Sequence, residues 1–373
     1  MSVEFVRAGT GQYQEIADFL HSYWAENHAY TRDRRLFEWT FRNGYRTEPS
    51  EYSIMLARES GQIVGMLGGI PFELTRMGQK HDAVWIVNYV MRPDQRRGAT
   101  ALKLMGTWRG DPYAATIAFG INPATAAVYQ VLHGEVLPPI PRYLAVLPGC
   151  AERMASLIAL AQPEWDAARV RDLAASFETA IDTDEACALV RELPRDWDEK
   201  SWPKFEQGMI GASRSASYLD WRYLRHPAFS YRILTAAGEE SDGLLIWRLE
   251  EIRHKDHVVD RIGRIVEFMP TSQENARLLL AALARDLQSC YALGADYYSY
   301  HGPTGVWIRA CGMRSCQSHP DGESLPARFQ PLDGRGGGIM AAMFRSSTLP
   351  ALKSGDDCAW YWTKSDSDQD RPR

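Results

Sequence analysis

Apolar positions along the chain switch repeatedly between a period of two and a period near 3.6, and the switches mark out strands and helices. The opening EFVRAG (Glu4–Gly9) reads as a strand, and the stretch after it sets Ile16, Phe19, Leu20, Tyr23 and Trp24 on one helical face. Phe37-Glu38-Trp39-Thr40-Phe41 then begins a longer series. It continues with YSIMLARES, a turn at Gly61, IVGMLGGIPFEL, and a β-rich run, VWIVNYVMRP, ending at Pro93. A helix-period segment follows, with Leu102, Leu104, Met105 and Trp108, and then a strand and a short helix closing at Gly134.

The series recurs. Leu219-Asp220-Trp221-Arg222-Tyr223 echoes the first tryptophan helix. It is followed by YRILTAAGEES, a turn near Gly243, LLIWRLEEI, and IGRIVEFMP ending at Pro270. A helix comes next, then YYSYHGPTGVWIRACG closing at Gly312. Tryptophan and proline are 54 residues apart in the first copy and 49 in the second, and proline and glycine 41 and 42. Such self-similarity predicts two α/β domains of one design, residues 1–147 and 205–348. The Ala-, Leu-, Arg- and Glu-rich stretch 148–204, broken by Pro163 and Pro194, reads as a helical connector. Residues 349–373 form a C-terminal tail whose polar end from Lys364, KSDSDQDRPR, is expected to be disordered.

A length of 373 residues suits two domains. The formal charge of −5 comes without basic blocks, so no footprint for nucleic acid or an anionic membrane is expected. No apolar run approaches the ~20 residues of a membrane helix, and MSVEFVRAG lacks the parts of a signal peptide. A cytoplasmic location is the expectation. Cys150, Cys187, Cys290, Cys311, Cys316 and Cys358 lie far apart, without CxxC pairs or a His cluster, which favours reduced thiols over disulfides or zinc. No metal is expected. The 12 Trp, 17 Tyr and 12 Phe supply core and rings enough to line a pocket for a sugar or base.

The stretch richest in chemistry is Val90-Met91-Arg92-Pro93-Asp94-Gln95-Arg96-Arg97-Gly98-Ala99-Thr100. A strand stops at a proline, and a helix starts just after two arginines and a glycine. Unpaired amides and the positive end of the dipole would then face any anion held there. Gly98 permits close approach, and guanidinium groups suit phosphate oxygens. A pyrophosphate-binding turn and a plain connection with solvated arginines both fit the spacing.

These residues resemble the coenzyme A turn of the GNAT acyltransferase superfamily, with Gln95 and Gly98 in the family's places and Thr100 where a smaller residue is usual. Asn122-Pro123, opening a helix that carries Tyr129 and closes at Gly134, is similar to the family's second element. The resemblance implies two tandem domains, each a mixed, mostly antiparallel twisted sheet flanked by helices. It implies acyl-CoA bound by Val90, Met91, Arg92, Gln95, Arg96, Arg97, Gly98, Ala99, Thr100 and Asn122, with Tyr129 protonating the departing thiolate. The family's histone-acetylating branch carries a glutamate where this chain has Val84, so the base is sought at Asp82, with His81 and Asn88 near it, at Glu73, or at Glu267 and His301 of the second copy. In that copy Ser272, Gln273, Glu274 and Asn275 stand opposite the turn and Trp307 opposite Tyr129. It is therefore expected to bind no coenzyme A and to help build the acceptor pocket. The length and tandem design resemble N-acyltransferases of nucleotide-linked amino sugars. Another small-molecule or peptide amine, or a non-catalytic acyl-CoA sensor, remains an alternative, and a homodimer is left open.

Overall fold

A computed structural model describes residues 2–96, 98–110, 112–181, 189–236, 243–334, 338–347, 349 and 359–372. In the first half β1 (Glu4–Gly9), α1 (Tyr13–Tyr23), α2 (Ala29–Arg32) and α3 (Arg34–Phe41) precede β2 (Glu51–Glu59), β3 (Gln62–Arg76) and β4 (Gln79–Met91). Then come α4 (Ala99–Gly106), β5 (Ala115–Ile121), α5 (Pro123–Val131), β6 (Glu135–Leu137) and β7 (Arg142–Val146). The connector holds α6 (Ala151–Ala161), α7 (Ala167–Ser176) and a short strand, β8 (Leu189–Val190). After it come α8 (Trp202–Glu206), β9 (Ile210–Ala212) and α9 (Ala216–Leu219). The second half runs β10 (Arg232–Ala236), β11 (Leu244–His254), β12 (His257–Met269), α10 (Gln273–Ser289), β13 (Gly294–Tyr298), α11 (Gly302–Ala310) and β14 (Arg314–Ser315). A hairpin of β15 (Arg328–Phe329) and β16 (Leu332–Asp333) precedes β17 (Met340–Arg345).

Two twisted, mixed sheets result. The first has the order β1-β2-β3-β4-β5-β17-β6, with β9 beside the end of β3, and the second β14-β7-β13-β12-β11-β10-β8. Pairing is antiparallel except for β4 with β5 and β12 with β13. Ser60-Gly61 and Met77-Gly78 close the first two hairpins with left-handed φ at both positions, the turn that matches strand twist. Helices cover both faces of the first sheet, which explains the near-continuous burial along β3 and β4. Ile16, Leu20, Phe37 and Phe41 pack with Phe72 and Trp85 on one face, and Leu104, Met105, Trp108 and Tyr129 with Val84 and Ile86 on the other. No described helix is long and apolar enough to cross a membrane.

The sheets do not separate where the sequence divides. β7 leaves the first half and lies between β13 and β14, while β17 leaves the second half and lies between β5 and β6. Each half thus completes the other's sheet, and boundaries at 147 and 348 both follow strands that have already crossed over.

The polar tail is also not a solvated end. Trp360, Tyr361 and Trp362 are buried in the cores, and residues 363–371 run inward beneath them, partly or fully buried. Its charges are matched inside: Asp366 takes both oxygens to Arg214 Nη2 at 3.0 and 2.9 Å, and Asp370 meets Arg248 Nη2 at 2.8 Å. Burial of a polar segment requires partners for its charges, and this one has them.

Candidate active site

Four residue pairs, Ala83 with Ala115 to Ile86 with Ala118, hold β4 and β5 together. Beyond them β4 runs on to Met91 and β5 to Ile121 without pairing, so the two strands form a fork. The cause lies in β4. Gly68 faces Val87 and Met66 faces Val90, so Asn88 and Tyr89 together oppose Leu67 alone. Such a bulge bends and re-aims its strand. Asn88 takes φ +50°, a left-handed conformation that asparagine tolerates better than most residues. It is 6% exposed, and neither Oδ1 nor Nδ2 has a hydrogen-bond partner. A buried amide left unmatched costs about 1–3 kcal/mol, so one at a fork marks a place for a ligand's polar group.

The turn at the end of β4 is open. Gly98 is extended and caps α4 without any side-chain hydrogen bond, and a Cβ built on it would meet nothing within 4 Å. Gly98 and Ala99 are exposed, and Thr100 is partly so. The first amides of α4 have no intrahelical acceptors and lie at the positive end of the helix, beside this exposed glycine. Arg96 reaches back from Nε to the Met91 carbonyl at 3.3 Å, and Gln95 N–H donates to the Arg92 carbonyl. Arg97 lies outside the described residues. Arg92 is committed elsewhere: its guanidinium grips Asp94 at 2.6 and 2.8 Å, and its N–H donates to the Val64 carbonyl. Val90 and Met91 stand opposite Met66 and Gly65 on β3, and since Arg92 N–H bonds Val64, the alternation of the ladder leaves the Met91 amide as the one turned away from β3.

Across the fork, Asn122 caps α5 by accepting from Thr125 N–H at 2.8 Å, with its Nδ2 at the exposed helix end. Tyr129, one face of α5 later, is 5% exposed and packs on Phe344. Burial, reinforced by nearby Tyr89, raises its phenol well above the usual range, so it carries its proton throughout neutral pH. Tyr89 itself is pushed up to about 12 by burial and donates to the Ala101 carbonyl at 2.8 Å. Gly134 has no room for a side chain, since a Cβ would sit 2.9 Å from Phe344 and 3.1 Å from the Tyr129 carbonyl.

The expected bases do not gather here. Asp82 sits before the paired stretch of β4 and accepts from Tyr45 Oη at 2.6 Å and Arg46 Nε at 3.1 Å. Glu73 is paired with Lys80 at 3.0 Å. Glu267 is wholly buried, taking Arg214 Nε at 2.7 Å, Tyr361 Oη at 2.8 Å and the Tyr223 hydroxyl. His301 caps α11 as Asn122 caps α5, its Nδ1 2.6 Å from Thr304 Oγ1, and burial lowers its pKa to about 4. Each of these groups is engaged by partners of its own, away from the fork.

The second copy differs at the turn in a telling way. Ser272 caps α10 through its own side chain, accepting from Asn275 N–H at 3.0 Å, and Glu274 is paired with Arg277. The helix start that is uncapped at Gly98 is capped there, and Glu274 stands beside a cavity of about 470 Å³ that also takes in Gln273, Arg277 and Gly312. The sequence reading missed Gln369: its Nε2 donates to the Phe119 carbonyl at 3.1 Å, at the first residue of β5 beyond the paired stretch. Nothing local in a polar tail signals that contact.

No protein-family model matches the chain, and no curated protein matches it in sequence. Solved structures do match in shape. A GCN5-related N-acetyltransferase from Kribbella flavida superposes with TM-score 0.52 at 13% identity, over 92% of this chain and 70% of its own. A probable N-acyltransferase from Enterococcus faecalis gives 0.56 at 12%, over 91% and 72%. N-myristoyltransferase from Saccharomyces cerevisiae with bound myristoyl-CoA gives 0.53 at 11%, over 92% and 82%. The chain therefore has the fold of the GCN5-related N-acetyltransferases and of N-myristoyltransferase, spread over both of its halves.

Proposed function

We propose that the protein is an acyl-CoA-dependent N-acyltransferase that moves an acyl group directly to the primary amine of a nucleotide-linked amino-deoxysugar. The observation that carries the acyl-CoA reading is the start of α4 at Gly98, where, among the described residues, no side-chain cap is made and a Cβ would meet nothing within 4 Å. In this reading the amides of Gly98, Ala99 and Thr100 receive the diphosphate, with Gln95 and Arg96 beside it, and Asn122 Nδ2 meets the pantetheine arm. The Met91 amide, at the bulged end of β4, stabilises the charge that develops on the thioester oxygen. Asn88 offers its unmatched amide to the incoming amine or carbonyl. Tyr129 supplies a proton to the leaving thiolate, whose conjugate acid has a pKa of ~8.5. With Asp82, Glu73 and Glu267 held in ion pairs, the amine's proton passes to solvent.

The amino-sugar acceptor is supported by the second half, which keeps the fold but caps the corresponding turn with Ser272 and sets Glu274 beside it. The test is release of free thiol from a set of acyl-CoAs against a panel of amines. Steady release only with a nucleotide-linked 3- or 4-amino-6-deoxyhexose supports the whole reading. Release with a different amine overturns the acceptor alone, and acyl-CoA binding without turnover of any amine overturns catalysis.

A further inference from the structure

We propose that an open cavity beside the free edge of β3, separate from the fork, binds an anionic, ring-bearing small molecule of the nucleoside diphosphate class. The inference rests on the acyltransferase reading in one respect: it makes this cavity the seat of the acceptor's non-reacting end.

The cavity exists because β3 changes partners. β2 pairs with it as far as Gly68, and β9 begins only at Leu74. Between them Gly69 to Glu73 has no strand on that side. Pro71 suits the gap, having no N–H to leave unmatched, and its carbonyl accepts from Asn43 Nδ2 at 2.9 Å. Ser213 N–H donates to the Glu73 carbonyl at 2.8 Å and brings the segment leading into α9 up as the opposite wall.

The space enclosed is about 480 Å³, within the ~300–1,000 Å³ of small-molecule sites. Phe72, Tyr45, Tyr218 and Trp221 give it ring walls. Trp221 is held from behind by its stack on Trp39, ring centroids 4.9 Å apart, so that wall is fixed in advance. One lining group is conspicuously unmatched. Ser213 is 4% exposed, and its Oγ has no hydrogen-bond partner. A hydroxyl buried without a partner is the mark of a missing ligand or water.

The charge at the rim selects the ligand. Arg42 and Arg225 both line the cavity, with side chains 39% and 68% exposed. Arg42 reaches the Pro49 carbonyl at 3.2 Å and Glu38 at 3.9 Å, and Arg225 reaches Asp220 at 2.6 Å, and both side chains keep part of their surface toward the cavity. The carboxylate in the lining, Glu73, is neutralised by Lys80. Paired guanidinium groups over aromatic walls suit phosphate oxygens attached to a planar ring. Phe72, at the cavity, pairs with Ala83, and the fork opens past Ile86. Three residues of strand are roughly 10 Å, so a ligand serving both places must be long. A free amino sugar is too short, and a nucleotide-linked one is not.

The test is calorimetric titration of the full-length chain with UDP, dTDP, inorganic phosphate and coenzyme A, singly and in pairs. UDP or dTDP is expected to bind alongside coenzyme A, and phosphate alone far more weakly. Arg225→Ala is expected to weaken the diphosphate by about tenfold, and Ser213→Trp, which fills the cavity, to abolish it. Coenzyme A affinity should stay unchanged in both. Arg225 is a surface residue, so its variant folds even if the tryptophan does not. The proposal is overturned if neither diphosphate binds a chain that binds coenzyme A, if diphosphate and coenzyme A exclude each other, if phosphate binds as tightly as UDP, or if Arg225→Ala leaves affinity intact. Failure of coenzyme A to bind contradicts the fork assignment instead.

Discussion

Trp39 and Trp221 are stacked with ring centroids 4.9 Å apart and planes 21° from parallel, and each indole Nε1 donates to the other's backbone carbonyl, at 3.0 and 3.4 Å. The contact is reciprocal, as expected where two copies of one motif meet about a local two-fold axis. It ties α3 to the turn after α9 across 182 residues of chain. Replacing either ring with alanine should cost about 3 kcal/mol. The double variant should cost less than the sum, by about 0.5 kcal/mol or more. Urea unfolding of the two single variants and the pair checks this, and strict additivity would show that the rings act independently.

The tail is held by charge as much as by its tryptophans. Arg214 is fully buried between Glu267 and Asp366. Removing one partner of a buried pair strands the other, so Asp366→Ala should destabilise the fold by about 3–5 kcal/mol. Chemical denaturation measures it. A loss below about 1 kcal/mol would mean that solvent reaches Arg214 and that the tail is not the inner element described.

Two buried histidines set an acid limit. His226 accepts at Nδ1 from the amides of Ala228 and Phe229, at 3.1 and 3.0 Å, and burial followed by the Arg222 charge lowers its pKa to about 3. His301 is lowered in the same sense, to about 4. An unfolded histidine binds a proton near pH 6.5 and the folded ones do not, so stability is complete above that pH and declines as pH falls from 6.5 toward 3. The melting temperature should drop through this window. His226→Asn, which keeps an acceptor without the titration, should flatten the slope, and an unchanged slope would remove His226 from the account.

Tyr129 should act in turnover and not in coenzyme binding. Tyr129→Phe keeps the ring packed on Phe344 and removes only the hydroxyl. The rate of thiol release is expected to fall by about 10²–10⁴-fold, with coenzyme A affinity near that of the parent. Full activity in the variant would assign the proton to another donor.

Much of this was legible because it was local. The two matched series, the turn at Gly98 and the Asn122–Tyr129 pair are patterns within a few dozen residues, and the strands and helices fall where those patterns put them. The strand exchange was not legible. RYLAV and MAAMFR read as short strands, but period and apolarity carry no information about which sheet accepts them. The tail misled for a related reason. KSDSDQDRPR is polar enough to stay in water, and only arginines more than a hundred residues away in sequence, Arg214 and Arg248, make its burial favourable. Glu267 and His301 were candidates for a base supplied by the second copy, and the structure holds both as partners within buried networks. The cavity at β3 rests on a gap between strand partners that no single segment encodes.

The central claim is that a diphosphate sits on the open start of α4. Gly98→Glu places a carboxylate where a Cβ meets no atom of the protein, so the fold should be untouched. Titration calorimetry of coenzyme A into the parent chain and into Gly98→Glu tests the claim most directly. Binding in the parent and none in a variant with unaltered melting temperature is the expected result, and equal affinity in the two would contradict the account.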